Sequence, residues 1–324
     1  MTDLTAVSLF AGVGGFDLAL ERAGVKVVAA VEIDKNARGV LQHQFPNTQH
    51  FTDVTTVTGE DLRNAGFIPE RGIITGGFPC QDLSVAGKRA GLVGARSGLF
   101  YEIARIADET KAKWLVLENV PGLLSSQRGA DMGAVVGTLV ELGYGVAWRV
   151  LDAQHFGVPQ RRRRVFIVAE RAGDPARCAK VLFERTSVQG DTSQGRTPRE
   201  EVAGDVGESP SSGLLSVERV FGQTGFAKYS ENEVTTLSAT TYKRAEDNVV
   251  VREVQTVRRL TPTECERLQG FPDGWTAERI DEVKGLVTQA DSSRYKQMGN
   301  AVAVPCVEWI VNRLVAYEQV WGEK

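Results

Sequence analysis

The chain has little that would tie it to metal, disulfide or membrane chemistry. Its four cysteines, Cys80, Cys178, Cys265 and Cys306, lie far apart and form no CxxC pair. That leaves no disulfide framework and no cysteine-built zinc site, and it fits a reducing, cytoplasmic setting. The three histidines, His43, His50 and His155, are scattered, so no metal is expected. No apolar run approaches the roughly 18 residues of a membrane span. The first residues, MTDLTAVSLFAG, carry an acid and no basic segment, so no signal peptide is expected. Positive charge is not in excess either: 38 Lys and Arg stand against 41 Asp and Glu, a net charge of −3. A generally basic coat for nucleic acid is excluded, but a local basic face is not.

What is present is an ordinary globular composition. The 324 residues are 42% hydrophobic and 24% charged, which excludes general disorder, collagen and a coiled coil. At roughly 100–200 residues per domain, two domains or one domain with a large insertion are expected. Over the first 170 or so residues, short apolar runs alternate with helical patterns. AVSLF (6–10), VKVVAAVEI (25–33), GIIT (72–75), KWLVLE (113–118), VAWRVL (146–151) and RVFIVA (164–169) read as strands. Helical patterns lie at 16–23, from Asp34 as N-cap toward Phe45, at 99–110 and at 132–142. Strands apolar on both faces, alternating with helices, predict an α/β fold with a largely parallel sheet. The pattern breaks after about Ala172. Residues 186–213 are rich in Ser, Gly, Pro, Thr and Glu and read as a long connector. Short β-rich pieces follow at 234–242 and 248–254, and helical periodicity returns at 261–268 and 302–317.

Five motifs carry chemistry. FAGVGGF (10–16) is a glycine turn between strand and helix, able to bring backbone close to a ligand at a helix N-terminus. It is GxGG rather than the GxGxxG of a dinucleotide fingerprint, and alone it could be a structural turn. Glu32 ends the next strand about 20 residues on, where an acid can accept hydrogen bonds from ribose hydroxyls. Asp53 follows the third strand in the same way. Each acid taken singly could be a solvated strand end; together with the turn they outline a pocket for an adenosine-containing cofactor. GGFPCQDLS (76–84) sets Cys80 at a strand's carboxyl end, behind Pro79, whose ring restricts the backbone next to the sulfur. The other three cysteines read as buried, inert thiols. LENVPG (117–122) ends an apolar strand on Glu118, a position where desolvation can raise a carboxyl's pKa and make it a proton donor. QRRRR (160–164) leads four arginines into a buried strand, whose alternation turns at least one guanidinium inward.

These motifs, with RRLTPTECERLQGFP (258–272) and YKQMGNAVAVP (295–305), stand in the order of the DNA cytosine-5 methyltransferase family, which the chain resembles over most of its length. Only about 171–255 lacks a strong match; in the family this is the target-recognition domain, and Thr236-Leu237 resembles its Thr-Leu pair. The resemblance implies a Rossmann-like S-adenosylmethionine-dependent methyltransferase fold with a smaller β-rich target-recognition domain. Residues 1–182 and 292–324 would form the catalytic domain, and 183–291 the recognition domain and hinge. It implies Cys80 as nucleophile, Glu118 as its acid partner, Arg164 holding the base and Arg162 ordering the site. Phe10, Gly12 and Gly14 would line the S-adenosylmethionine pocket, with Glu32 on the ribose, Ile33 against the adenine, Asp53 on the adenine amino group and Val54 beside it. Pro79, Leu99 and Asn300 would complete it. Double-stranded DNA is the implied substrate, a monomer the implied state, and restriction–modification or DNA self-protection the implied role.

Three rivals remain at this stage. A nucleotide-binding oxidoreductase is disfavoured by GxGG and by the Pro-Cys and Glu-Asn-Val pair. A non-catalytic DNA-binding regulator should have lost the thiol or the acid, and this chain has both. An RNA cytosine-5 methyltransferase on the same scaffold is disfavoured because the Cys-Phe-Thr tripeptide of the tRNA-directed relatives is absent.

Overall fold

The computed structural model describes residues 2–79, 98–184, 219–225, 228–231, 248–251 and 257–321. Seven strands form the central sheet: β1 (Thr5–Leu9), β2 (Lys26–Val31), β3 (Gln49–Phe51), β4 (Gly72–Gly77), β5 (Trp114–Asn119), β6 (Gly145–Asp152) and β7 (Arg163–Glu170), in the order β3-β2-β1-β4-β5-β7-β6. Every residue of β1 is buried, as a strand covered on both faces requires. The sheet is parallel except at β7, which runs antiparallel to both β5 and β6. This exception has a simple cause. Only residues 153–162 join β6 to β7, and a parallel return needs a crossover of about a dozen residues or more. The hairpin drops β7 into the gap beside β5, and so carries the arginine run to the end of the strand that bears Glu118.

Helices cover both faces. On one, α1 (Gly15–Arg22), α6 (Pro175–Leu182) and α9 (Val304–Trp321) share a core with β4 and β7 through Leu20, Ile73, Phe166, Val181 and Ile310. On the other, α3 (Gly59–Asn64), α4 (Leu99–Thr110) and α5 (Ala130–Glu141) enclose Leu9, Ile74, Ile103, Leu117 and Val135. The helix after β2, α2 (Lys35–Gln44), is capped by the Asp34 carboxylate, which accepts from the Asn36 and Ala37 N–H groups. The last helix packs on α1 and α6. Its Glu318 accepts from Lys113 Nζ at 2.7 Å and from Trp114 Nε1 at 2.8 Å, so the end of the chain closes the domain begun at its start.

Where sequence periodicity was weak, the structure adds elements. The helix α6 lies in the stretch where the pattern was expected to have broken; Asp174 caps it and Pro175 opens it. A β12–β13 hairpin (Glu278–Asp281, Gly285–Thr288) and α8 (Asp291–Asn300) fill a region to which sequence periodicity assigned no element. The helix α7 (Pro262–Gln269) carries the capping box of Thr261 and Glu264. Leu260, Cys265, Leu268, Phe271 and Trp275 belong to the same core as α1 and α9. A second, antiparallel sheet is formed by β8 (Arg219–Gly225), β9 (Lys228–Glu231), β10 (Asn248–Val251) and β11 (Val257–Arg259), in the order β11-β10-β8-β9. The 186–213 connector and the Thr236-Leu237 pair lie outside the described residues. Among the described residues no helix is long and apolar enough to cross a membrane, and no group of three or more His, Cys, Asp or Glu could hold a metal. Cys178, Cys265 and Cys306 are free and buried, and burial pushes each thiol up to about 12.

One buried acid in this core is not compensated. Asp17, in the first turn of α1, is fully enclosed, and neither of its oxygens makes a well-formed hydrogen bond. Burial pushes its pKa from 3.8 to about 7, and the nearby Ser8 hydroxyl offsets this only in part. The folded state therefore keeps a proton that the unfolded chain releases. The stability this supplies is complete below about 3.8 and is lost as pH rises toward about 7. Asp17→Asn, which cannot titrate, should flatten the fall in Tm between pH 5 and pH 8. Equal slopes for variant and wild type in thermal melts would show that Asp17 does not change charge there.

Candidate active site

The cofactor end is built from two turns at the carboxyl edge of β1 and β2. After β1 the chain enters a left-handed path: Phe10 has φ 55°, Gly12 59° and Gly14 89°. At Gly14 a side chain is excluded twice over, because a Cβ would also lie 2.5 Å from the Phe45 ring. Glu32, just past β2, joins the two turns. One carboxylate oxygen accepts from the Gly12 N–H at 2.8 Å and the other from the Asp34 N–H at 2.8 Å. Burial raises the Glu32 pKa, and those two N–H groups and the Arg38 guanidinium oppose the rise. Each oxygen keeps a lone pair for a further donor. Ile33 beside it is 74% exposed, an apolar face left open at the sheet's ligand edge. Space above Gly12 is open, with no atom within 4 Å of where a Cβ would stand.

Asp53 caps its own turn. Its Oδ1 accepts from the Thr55 N–H at 2.9 Å and hydroxyl at 2.8 Å, which holds its pKa below the usual carboxylate range. The buried Val54 follows it, and Arg105 on α4 donates to the carbonyls of Val54 and Val57, each at 2.9 Å. Leu99 opens α4 and packs against the core, Pro79 is exposed at the end of the described β4 exit, and Asn300 is exposed at the end of α8.

The catalytic end lies at β4, β5 and β7. Glu118 pairs in register with Gly77 on one side and Phe166 on the other. Its Oε1 meets Arg164 Nε at 2.9 Å, with both side chains about seven-eighths buried (14% and 13% exposed). Burial raises the Glu118 pKa against the pull of Arg164 and Arg162. Arg162 is only 2% exposed and turns away from the surface; it donates to the carbonyls of Ala301 at 2.7 Å and Gly299 at 3.3 Å, and its N–H to Asp152 at 3.0 Å. Burial and the neighbouring Arg164 bring its pKa down to about 9, still above neutrality. Cys80 lies outside the described residues.

Sequence reasoning passed over the residues that hold these groups in place. Asn119, 2% exposed, donates through Nδ2 to the Phe78 carbonyl at 2.8 Å and accepts through Oδ1 from the Val120 N–H at 2.8 Å. It fastens the Glu118 strand end to the segment that leads to Cys80. The signal was present in the motif, since an amide beside a strand-end acid has both a donor and an acceptor to place. Arg38, Arg105 and Trp275 gave no such signal; the partners that matter here are backbone carbonyls or lie far off in sequence.

The C-5 cytosine-specific DNA methylase model matches residues 4–316. The chain belongs to this family. It is 33% identical to the Type II methyltransferase M.HpaII of Haemophilus parainfluenzae over 333 residues, covering 94% of this chain and 87% of that one. It is 32% identical to the Type II methyltransferase M1.ScrFI of Lactococcus lactis subsp. cremoris over 331 residues, covering 95% and 77%. Among solved structures, the Dnmt2 methyltransferase of S. pombe superposes with a TM-score of 0.65 at 17% identity, covering 97% of this chain and 98% of that one, which bears on the fold.

In this methylase, Gly77 leaves the room that Glu118 occupies: a Cβ there would stand 3.2 Å from Glu118 Oε2, a contact that forces a shift of a few tenths of an ångström. Gly77→Ala should lower kcat about tenfold or more, because displacing the buried Glu118 carboxyl misplaces a group at the candidate site, and leave cofactor affinity unchanged. An unaltered kcat would mean that Glu118 has slack in its position.

Proposed function

We propose that the chain transfers a methyl group from S-adenosylmethionine to C5 of a flipped-out cytosine within a specific duplex DNA sequence, through a covalent Cys80–C6 adduct, as the modification enzyme of a restriction–modification or self-protection system. The observation that carries this reading is the Glu118–Arg164 pair: a buried carboxyl with raised pKa and a fixed guanidinium, one strand from the segment that leads into Cys80. The M.HpaII and M1.ScrFI relatives, both named Type II methyltransferases, support the restriction–modification role.

The residues present fit the cofactor. Glu32 offers lone pairs for ribose hydroxyls, the exposed Ile33 an apolar face for the adenine, and Gly12 open space beside backbone. Asp53, Val54, Pro79, Leu99, Phe10, Gly14 and Asn300 would complete the pocket. When bound, S-adenosylmethionine supplies an electrophilic methyl on a sulfonium.

The protein's task is to make C5 nucleophilic. The Cys80 thiolate adds to C6 and the ring takes up the electron pair. Glu118, protonated, would hold N3 and the exocyclic amine, and Arg164 would hold O2, so that the growing negative charge meets a proton donor and a fixed cation. After methylation water takes the C5 proton, its bonding pair restores the C5–C6 double bond, and the C6–S bond breaks with its pair returning to the Cys80 thiolate. Neither C5 nor C6 is accessible in a stacked duplex, so the base is turned out into the site. Arg162, committed to the carbonyls of 299 and 301, orders the arginine strand rather than touching the base. The 183–291 segment is proposed to read the sequence and hinge the two lobes, and the enzyme to act as a monomer.

Cys80→Ser should retain cofactor binding and lose methyl transfer by several orders of magnitude, since an alcohol is scarcely ionised at neutral pH. Near-normal methylation by the variant, read by bisulfite sequencing of DNA from expressing cells, would sink the assignment. Glu118→Gln keeps shape and a donor but cannot pass a proton. It should slow single-turnover methyl transfer by about 10²–10⁴ with little change in DNA affinity; an unchanged rate would remove Glu118 from the mechanism.

A further inference from the structure

Both cofactor turns are gripped from outside by a segment more than 200 residues further along the chain. Trp275 is 8% exposed, and its Nε1–H donates to the Val13 carbonyl, inside the glycine turn, at 2.7 Å. A buried indole N–H needs an acceptor, and this one is the backbone that must keep its left-handed path. The ring is seated between Phe45 at 5.7 Å and Phe271 at 5.6 Å, centroid to centroid. Its backbone carbonyl in turn accepts from Gln44 Nε2 at 2.9 Å.

The second turn is held in the same manner. Arg38, also 8% exposed, donates from Nη1 to the carbonyls of Glu32 at 3.0 Å and Ile33 at 3.3 Å. Its Nη2 reaches Glu282, in the turn of the β12–β13 hairpin, at 3.0 Å. The planar guanidinium fork can serve two carbonyls and a carboxylate at once; an ammonium lacks that geometry. The hairpin lies tight on α2: a Cβ at Gly39 would stand 2.3 Å from the Ile280 carbonyl oxygen. Lys296 on α8 adds a contact to Asp34 at 3.0 Å.

We infer that residues 271–296 form the outer brace of the cofactor pocket, with Trp275 and Arg38 as positioning residues for the glycine turn and the ribose–adenine turn. Neither is assigned to touch the ligand. They act by keeping Gly12, Glu32 and Ile33 in place before it arrives, so that less ordering is left to binding. The inference rests on the reading that S-adenosylmethionine occupies this pocket.

Two conservative variants of the full chain test it by isothermal titration with S-adenosylmethionine and with S-adenosylhomocysteine. Trp275→Phe keeps an aromatic ring between Phe45 and Phe271 and removes only the donor. Arg38→Lys keeps the charge and removes the fork. Each should weaken both ligands by about three- to tenfold, the worth of one or two hydrogen bonds, and to the same extent, because the adenosine that Glu32 and Ile33 would hold is common to both. DNA affinity and kcat at saturating cofactor should be unchanged. Folded variants that bind both ligands as tightly as wild type would overturn the inference. So would a parallel loss of DNA affinity, which would make the segment a general support of the hinge. A wild-type chain that binds neither ligand is a separate failure: it would remove the cofactor reading itself.

Discussion

A carboxyl group enclosed at the end of a central strand must be neutral or must have positive charge beside it. Glu118 has both pressures on it: burial favours the proton, and Arg164 at 2.9 Å favours the anion. The rest of the catalytic half follows from supplying that arginine. An all-parallel sheet would start the strand beside β5 at the opposite edge and carry the start of the QRRRR strand away from Glu118. The antiparallel β7 reverses this, so that the start of an arginine-led strand lies against the end of an acid-tipped one. Arg162, two residues before Arg164, then falls into the interior, and its charge has to be met by carbonyls. Those belong to Gly299 and Ala301, which is one reason the chain's last quarter folds back on the start of β7.

The cofactor half obeys a different constraint. Its acid, Glu32, is stabilised by N–H groups rather than by an ion pair: Gly12 and Asp34 each donate to one oxygen. Those bonds are possible only while two separate turns hold their shape. The Phe10–Gly14 path is left-handed at three residues and has no regular ladder to keep it there. A turn of this kind needs neighbours to fix it; besides the Glu32 carboxylate, the Val31 carbonyl, accepting from Ala11 N–H at 3.1 Å, and the Trp275 indole hold it.

The legibility of all this in the sequence was uneven for physical reasons. Strands such as 6–10 and 164–169 could be read because burial on both faces leaves an apolar run. Helices α2 and α7 could be read because Asp34 and Thr261 are cap residues. The strand-end acids and the glycine turn were visible because α/β sheets put ligands at one edge, and the order of motifs made the family visible. The direction of β7 was not: periodicity reports burial, and is silent on which neighbour a strand pairs with. Only the length of the 153–162 connection held that information. The helix α8 and the β12–β13 hairpin escaped because their exposed, polar faces carry no clear period. Trp275 and Arg38 escaped because their partners are separated from them by hundreds of residues or sit on backbone, which has no letter of its own in the sequence.

The same interactions explain how a catalytic lobe can carry a long insertion in its middle. The chain leaves this core after α6, near residue 184, and rejoins it past β11, at Leu260. Both ends are pinned: Arg313 on α9 donates to the carbonyls of Val181 at 2.6 Å and Phe183 at 2.7 Å, and Tyr295 donates to the Leu260 carbonyl at 2.7 Å. With its ends fixed, an inserted segment adds little closure entropy as it lengthens, about 0.6 kcal/mol per doubling. Its composition is then free of the core's demand for apolar periodicity, which is why the polar, aperiodic stretch there defeats a reading built on burial. The constraint that remains falls on the re-entry segment, which has to rejoin the core and brace the cofactor turns at once. Residues 258–300 meet it by packing Leu268, Phe271 and Trp275 inward while Glu282 and Lys296 reach across to α2 and its cap.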